Sequence, residues 1–124
     1  MVMGHVLDVY DAPFEWGVSD CCTSACDVFQ RMHGVDPMAP LRGRYRTRDE
    51  AWRHIRAWGG WRRMFAALTA LAGLSDGVGG EGELGLVKAE AGFTLATGVG
   101  GDWWAVKMDC GFLTVPGAIL CRRP

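Results

Sequence analysis

The feature that most constrains the fold is a change of hydrophobic period at a glycine-rich segment, residues 75–82 ("SDGVGGEG"). Before this segment apolar residues recur at helical spacing, and after it short apolar runs are separated by turn residues. Helices followed by strands indicate an α+β domain with helices packed on an antiparallel sheet. The 124 residues have the length of a single domain, and we expect a helical half at about 14–74 and a strand half at about 82–122.

One helix is predicted over residues 20–33. Its apolar residues fall on a single helical stripe, formed by Cys21, Ala25, Val28, Phe29 and Met32. Ser19 or Asp20 is expected as the N-cap, because a short polar side chain accepts hydrogen bonds from the first turn. Gly34 follows the last turn, as is common at helix ends.

Two more helices are predicted before the glycine-rich segment. Thr47 and Glu50 match a capping box, so a helix should begin there and end at the Gly59–Gly60 pair. Residues 61–74 form the third helix. Residues 1–13 are predicted to be an irregular lead-in.

The strand half contains four short runs that predict antiparallel strands: "ELGLVKAE", "FTLATGVG", "DWWAVKMD" and "FLTVPGAILC". Pro116 should lie at a strand end or bulge. Trp103 and Trp104 are adjacent in a predicted strand and must therefore point to opposite faces of the sheet. One of them is expected in the core, and the other is a candidate anchor for a partner.

Composition excludes several classes of protein. The net charge is −1, so no overall field recruits nucleic acid or an anionic membrane. No apolar run is long enough to span a bilayer, and the N-terminus lacks the pattern of a secretory signal. Five cysteines is an odd number, and three of them crowd one helical turn, which favours reduced thiols over a disulfide framework.

The three clustered cysteines allow three interpretations. Cys21 follows the cap candidate Asp20 at a helix start, where the helix dipole favours a thiolate, so Cys21 is the candidate nucleophile. Cysteine is also a small hydrophobe, and packing on the apolar stripe is the interpretation that spacing alone favours. A zinc site with Cys21, Cys22 and Cys26 is the weakest interpretation, because C-C-x3-C is not a usual zinc spacing. We expect no metal and no cofactor.

A second group of residues suggests a docking surface. The segment "RGRYRTR" alternates arginines around an aromatic residue, which suits phosphate binding, a solvated edge or a protein interface. Because the whole chain is near neutral, this segment alone favours a solvated edge or pairing with Asp49 and Glu50, and we expect no nucleic acid partner. The interface candidates are Arg42, Arg44, Tyr45, Arg46, Trp103 and Trp104.

The first half of the chain resembles a known family. "FEWGVSDCCTSACDVF" and "GVDPMAPLRGRYRTRDEA" resemble small proteins of the tail modules of phages, prophages and gene transfer agents. That family is regarded as a divergent relative of NlpC-type cell-wall peptidases, which are papain-like. The resemblance is weaker in the strand half, where "GELGLV" is similar to the family's first strand.

The resemblance implies a papain-like α+β fold with Cys21 at the position of the catalytic cysteine. The histidine base of the active relatives would fall in "ATGV", where this chain has Ala96. None of the three histidines, His5, His33 and His54, lies in the strand half.

Loss of the base favours a structural or adaptor role. We expect a virion component at the tail tip, made in the bacterial host cytoplasm, which docks on tail hub, distal tail or fibre proteins. The alternative is an active peptidoglycan amidase or endopeptidase, in which Cys21 attacks a stem-peptide amide of the host cell wall and His54 or His5 reaches the site through the fold.

Overall fold

A computed structural model describes residues 1–90 and 92–124. Four helices form one layer: α1 (Val2–Tyr10), α2 (Cys21–His33), α3 (Arg48–Ala57) and α4 (Trp61–Leu71). The strands that follow are β1 (Ser75–Asp76), β2 (Leu84–Ala89), β3 (Gly92–Gly100), β4 (Trp103–Lys107), β5 (Phe112–Pro116) and β6 (Leu120–Arg123). The predicted α+β class, with helices before strands, is confirmed.

The six strands form one antiparallel sheet in the order β1-β6-β2-β3-β4-β5. Residues 117–119 alone connect β5, at one edge, to β6 near the other edge. Four Cα steps reach at most about 14 Å, whereas four strand spacings in a flat sheet measure about 19 Å. The sheet must therefore curl until its edges approach each other.

The curled sheet has its own small core. Trp104 is fully buried there, together with Val87 and Ala96. Gly85 lies against the Trp104 ring, and a side chain at this position would occupy the space of the indole. Trp103 points the other way and is 47% exposed, so the prediction that the two tryptophans lie on opposite faces is confirmed.

Helix α2 packs against α1 and against the central strands β3 and β4 of the sheet. Its buried face packs in the main core with residues of α3, α4 and the sheet: Cys22, Ala25, Cys26 and Phe29 contact a cluster that includes Ile55, Phe65, Leu86 and Leu95. The helix begins at Cys21 and ends at His33, and Gly34 caps it in a left-handed conformation. Both predicted ends of this helix are confirmed, because each is fixed by a short local signal.

The prediction of an irregular N-terminus is wrong, since α1 occupies residues 2–10. Its buried residues Val2, Val6, Val9 and Tyr10 repeat at helical spacing and pack with Val28 of α2 and Ala105 of β4. The Tyr10 hydroxyl lies 2.9 Å from the Thr97 hydroxyl, and Lys107 Nζ donates to the Tyr10 carbonyl over 2.7 Å. These contacts with the sheet stabilise a helix that is too short to be stable alone.

Six strands are formed where four runs were predicted. The segment 75–82 contains the short strand β1, which pairs with β6 at the sheet edge. The last predicted run divides into β5, which ends at Pro116, and β6, because Gly117 has a φ of 78° and turns the chain. In the described part of the chain, no helix has the length and apolarity that crossing a bilayer requires.

Candidate functional site

The start of α2 is organised by the carboxylate of Asp20, which is 1% exposed. Its Oδ1 accepts hydrogen bonds from the backbone N–H groups of Cys22 and Thr23, both at 2.9 Å. The Thr23 hydroxyl in turn accepts from the Asp20 N–H over 2.8 Å. The result is a capping box with aspartate at the N-cap, which confirms Asp20 as the helix cap and excludes Ser19 from that position.

The other carboxylate oxygen of Asp20 binds two further segments, those of Gly17 and Tyr45, to the start of α2. Oδ2 accepts from the Tyr45 hydroxyl over 2.6 Å and from the Gly17 N–H over 2.8 Å. Gly17 has a φ of 83°, and a Cβ there would collide with the Tyr45 carbonyl. Burial raises the pKa of Tyr45 far above its ordinary value of 10.0, so its hydroxyl stays protonated and donates to Asp20.

Cys21 is the first residue of α2 and is partly exposed, whereas Cys22 is buried. The two Sγ atoms are 3.9 Å apart. The hydrogen bond from the Cys22 thiol lowers the pKa of Cys21 below its ordinary value of 9.0, and the Thr94 hydroxyl lowers it further. The same contact, together with burial, raises the pKa of Cys22. Within this pair the pKa of Cys21 is the lower one, although burial opposes its decrease, and Cys22 stays protonated.

Cys21 opens into a cavity of about 310 Å³. Its wall is largely aromatic, with Trp16, Tyr45, Trp52, Trp61 and Phe93, and it also includes Asp20, Cys22 and Arg48. A concave apolar space with a few polar groups is the usual form of a ligand site. The Trp61 indole N–H is buried and has no hydrogen-bond partner among the described residues. This cavity is the candidate functional site.

The strand wall of the cavity differs from the expectation for a cysteine peptidase. Phe93 at the start of β3 lines the cavity, and Thr94 follows it. Ala96, the position that the resemblance gives to the histidine, is instead fully buried inside the curled sheet with Val87 and Trp104. The structure therefore does not bring Ala96 to Cys21, and the strand residues that line the cavity are Ala89 and Phe93.

The three histidines lie elsewhere, and none lines the Cys21 cavity within residues 1–90 and 92–124. His33 Nε2 donates to the Gly82 carbonyl over 2.9 Å, and His54 Nε2 donates to the Arg44 carbonyl over 3.1 Å. His5 lies on α1. The arrangement in which His54 or His5 reaches Cys21 is not formed.

The predicted zinc alternative is not assembled either. The residues whose ligand atoms lie within 4.8 Å of one another are Asp20, Cys21 and Cys22. Cys26 is instead fully buried in the main core, where burial raises its pKa. The Asp20 carboxylate is already occupied by the hydrogen bonds of the capping box and of Tyr45. The three cysteines therefore have separate environments.

The interface candidates divide into two groups. Tyr45 and Trp104 are buried, and Arg42 forms ion pairs with Asp27 at 2.6 Å and Asp36 at 2.7 Å. Burial contradicts a docking role for Tyr45 and Trp104, whereas Arg42 is paired within the fold and stays partly exposed. Exposed candidates that remain are Arg44, Arg46 and Trp103.

A family model described as a domain of unknown function, DUF6950, matches residues 3–121. The chain belongs to the DUF6950 family. No curated protein and no solved structure is significantly similar to it. The match spans both walls of the cavity, so this DUF6950 domain contains the whole candidate site.

The residues that sequence reasoning missed are the aromatic ones of the DUF6950 cavity: Trp16, Trp52, Trp61 and Phe93. Trp16 precedes Gly17 in the segment that resembles the tail-module family, which was a usable signal. Trp52 and Trp61 are separated by the Gly59–Gly60 turn and meet edge to face, with ring centroids 6.4 Å apart. This contact between two helices has no signature in local spacing.

Proposed function

We propose that the chain is a tail-tip component of a phage or phage-like particle, with a papain-like peptidase scaffold that acts by binding and not by hydrolysis. The observation that carries the proposal is the contrast at Cys21. The thiol lies at a capped helix start in a cavity, and among the described residues the strands contribute Ala89 and Phe93 to its lining and no imidazole.

Amide hydrolysis by a cysteine uses imidazole twice, first to take the thiol proton and then to protonate the leaving amine. General acid–base help of this kind contributes about 100- to 10,000-fold in rate. Tyr45 stays protonated as the donor to Asp20, and Asp20 is saturated with hydrogen bonds. Neither neighbour of Cys21 therefore replaces the missing base.

Association with particles tests the proposed role. Tail particles would be purified from a strain that encodes the chain, and the chain would be quantified by mass spectrometry against the tail tube protein. We expect a fixed stoichiometry, unchanged by Cys21→Ala, since binding does not need the thiol. A chain that is abundant in the lysate but missing from particles contradicts the proposal.

A second function, a working cysteine peptidase or amidase, is favoured by one observation. Cys21 is partly exposed and its pKa is lowered by Cys22 and Thr94, as a nucleophile requires. This hypothesis demands that release of stem-peptide fragments from peptidoglycan depends on Cys21. It also demands a proton acceptor from a partner chain.

A further inference from the structure

The surface around the Cys21 cavity carries a charge that the whole chain does not. Segment 43–74 contains seven exposed arginines, Arg44, Arg46, Arg48, Arg53, Arg56, Arg62 and Arg63, against two acids, Asp49 and Glu50. The segment therefore has a net charge of +5, whereas the chain has −1. Among the described residues, none of these seven guanidinium groups forms an ion pair, in contrast to Arg42.

The arginines flank the cavity on two sides. Arg48 and Trp52 line both the cavity and an adjoining depression that contains Arg53 and Arg56. On the other side, a second depression shares two residues with the cavity, Trp61 and Phe93, and is lined by Arg62 and Arg63. Arg62 places its guanidinium 5.6 Å from the centre of the Phe93 ring. The apolar cavity is thus the centre of a basic surface.

We propose that this surface binds an acidic segment of a partner protein, with one apolar side chain of that segment inserted beside Cys21. The inference rests on the proposed function and names the chemistry of the partner. An apolar centre rich in aromatic residues, with arginines at its rim, is the composition of a protein interface. Guanidinium groups also bind carboxylates in a paired geometry that fixes direction.

The shape of the site favours a protein segment over nucleic acid. Proteins that bind single strands offer successive aromatic platforms along an open groove, on which bases stack. Here the tryptophans enclose one cavity of about 310 Å³, which is at the lower end of the size range of ligand pockets and suits a single large side chain. The carboxylates of the partner segment then reach the arginines on both sides.

Protection of Cys21 from alkylation tests the proposal. The purified full chain would be treated with a small alkylating agent at neutral pH, and modification of each cysteine would be followed by peptide mass spectrometry. Cys110 is exposed and serves as the reference thiol in the same molecule. The probe is a copolymer of glutamate and tyrosine, which combines acidic and large apolar side chains. Matched probes are a glutamate–alanine copolymer, a lysine–tyrosine copolymer and single-stranded DNA.

We expect the glutamate–tyrosine copolymer to slow alkylation of Cys21 and to leave Cys110 unchanged. The double variant Arg53→Glu/Arg56→Glu should weaken this protection by at least about tenfold in copolymer concentration, because like charges then face each other. The control variant Arg31→Glu/Arg123→Glu changes the net charge equally at exposed positions outside segment 43–74. It should keep the protection, and circular dichroism should show both variants folded.

Several results overturn the inference. Equal protection by the lysine–tyrosine copolymer shows that charge does not select the partner, and equal protection by the glutamate–alanine copolymer shows that no side chain enters the cavity. Stronger protection by single-stranded DNA assigns the surface to nucleic acid. If the chain self-associates and Arg53→Glu/Arg56→Glu abolishes this association, the surface binds a second copy of the chain. If no probe protects Cys21, the proposed binding surface is wrong. Particle association, and with it the proposed function, is tested separately.

Discussion

The two walls of the Cys21 cavity differ in what they share with a cysteine peptidase. The helical wall has the Asp-Cys pair at a helix start, with Asp20 saturated by hydrogen bonds and Cys21 activated by its neighbours. The strand wall consists of Ala89 and Phe93 and has no imidazole among the described residues. The walls therefore suggest opposite conclusions about catalysis.

The difference teaches that an Asp-Cys motif has a structural reason to exist. Asp20 satisfies the first turn of α2 and holds Gly17 and Tyr45 in place, and none of these tasks involves chemistry on a substrate. Phe93 in the strand wall is apolar and takes no part in such hydrogen bonds. The residues of the helical wall are therefore explained by folding alone, whereas the residues of the strand wall determine whether Cys21 has a base for catalysis.

The largest expected effect is on the helical wall. Asp20→Ala removes the acceptor of two helix N–H groups, the Gly17 N–H and the Tyr45 hydroxyl, all in a buried place. We expect a loss of about 3–5 kcal/mol in the free energy of unfolding, measured by urea denaturation. The control Tyr45→Phe removes only one of these bonds and should cost about 1–2 kcal/mol. Equal losses for the two variants would contradict the central role of Asp20.

The second prediction concerns pH. Burial raises the pKa of Cys26 above 9.0, so the folded protein keeps this proton after the unfolded chain has lost it. The stabilisation is complete below the unfolded pKa and declines as the pH rises above it. Between pH 8 and pH 10 we expect Cys26 to remove about 1.4 kcal/mol from the free energy of unfolding. Cys26→Ala should reduce this pH dependence, while Cys110→Ala, at an exposed position, should not.

The third prediction alters the strand wall alone. Phe93→His places an imidazole in the cavity that Cys21 lines. An imidazolium near the thiol favours the thiolate, so alkylation of Cys21 at neutral pH should accelerate by about tenfold relative to wild type. Cys110 provides the reference rate. An unchanged rate would mean that the strand wall does not control the reactivity of Cys21.

The fourth prediction compares two neighbouring arginines. Arg42 binds Asp27 and Asp36 and links α2 to the loop before α3, whereas Arg44 is exposed without an ion pair in the described structure. Arg42→Ala should cost about 1–2 kcal/mol in the free energy of unfolding, because the pair is partly buried. Arg44→Ala should change it by less than about 0.5 kcal/mol. A larger loss of unfolding free energy for Arg44→Ala than for Arg42→Ala would contradict the structural role of Arg42.

Sequence analysis predicted the helical wall better than the strand wall for a physical reason. The ends of α2 depend on Asp20 and Gly34, whose effects act within a few residues along the chain. The cavity instead requires Trp16, Trp52, Trp61 and Phe93 to meet from four separate segments. Only the packing of the helices on the curled sheet brings them together, and that packing has no local signature. Helix α1 was missed although Val2, Val6 and Val9 carried its period, because Pro13 suggested an irregular segment.

Digestion of purified peptidoglycan tests the central claim most directly. Wild type, Cys21→Ala and the folded control Cys110→Ala would be incubated with the polymer, and released fragments would be identified by mass spectrometry. We expect no stem-peptide fragments from any of the three proteins, because no imidazole lines the Cys21 cavity among the described residues. Fragments that appear with wild type and Cys110→Ala but vanish with Cys21→Ala would contradict it and make Cys21 a catalytic nucleophile.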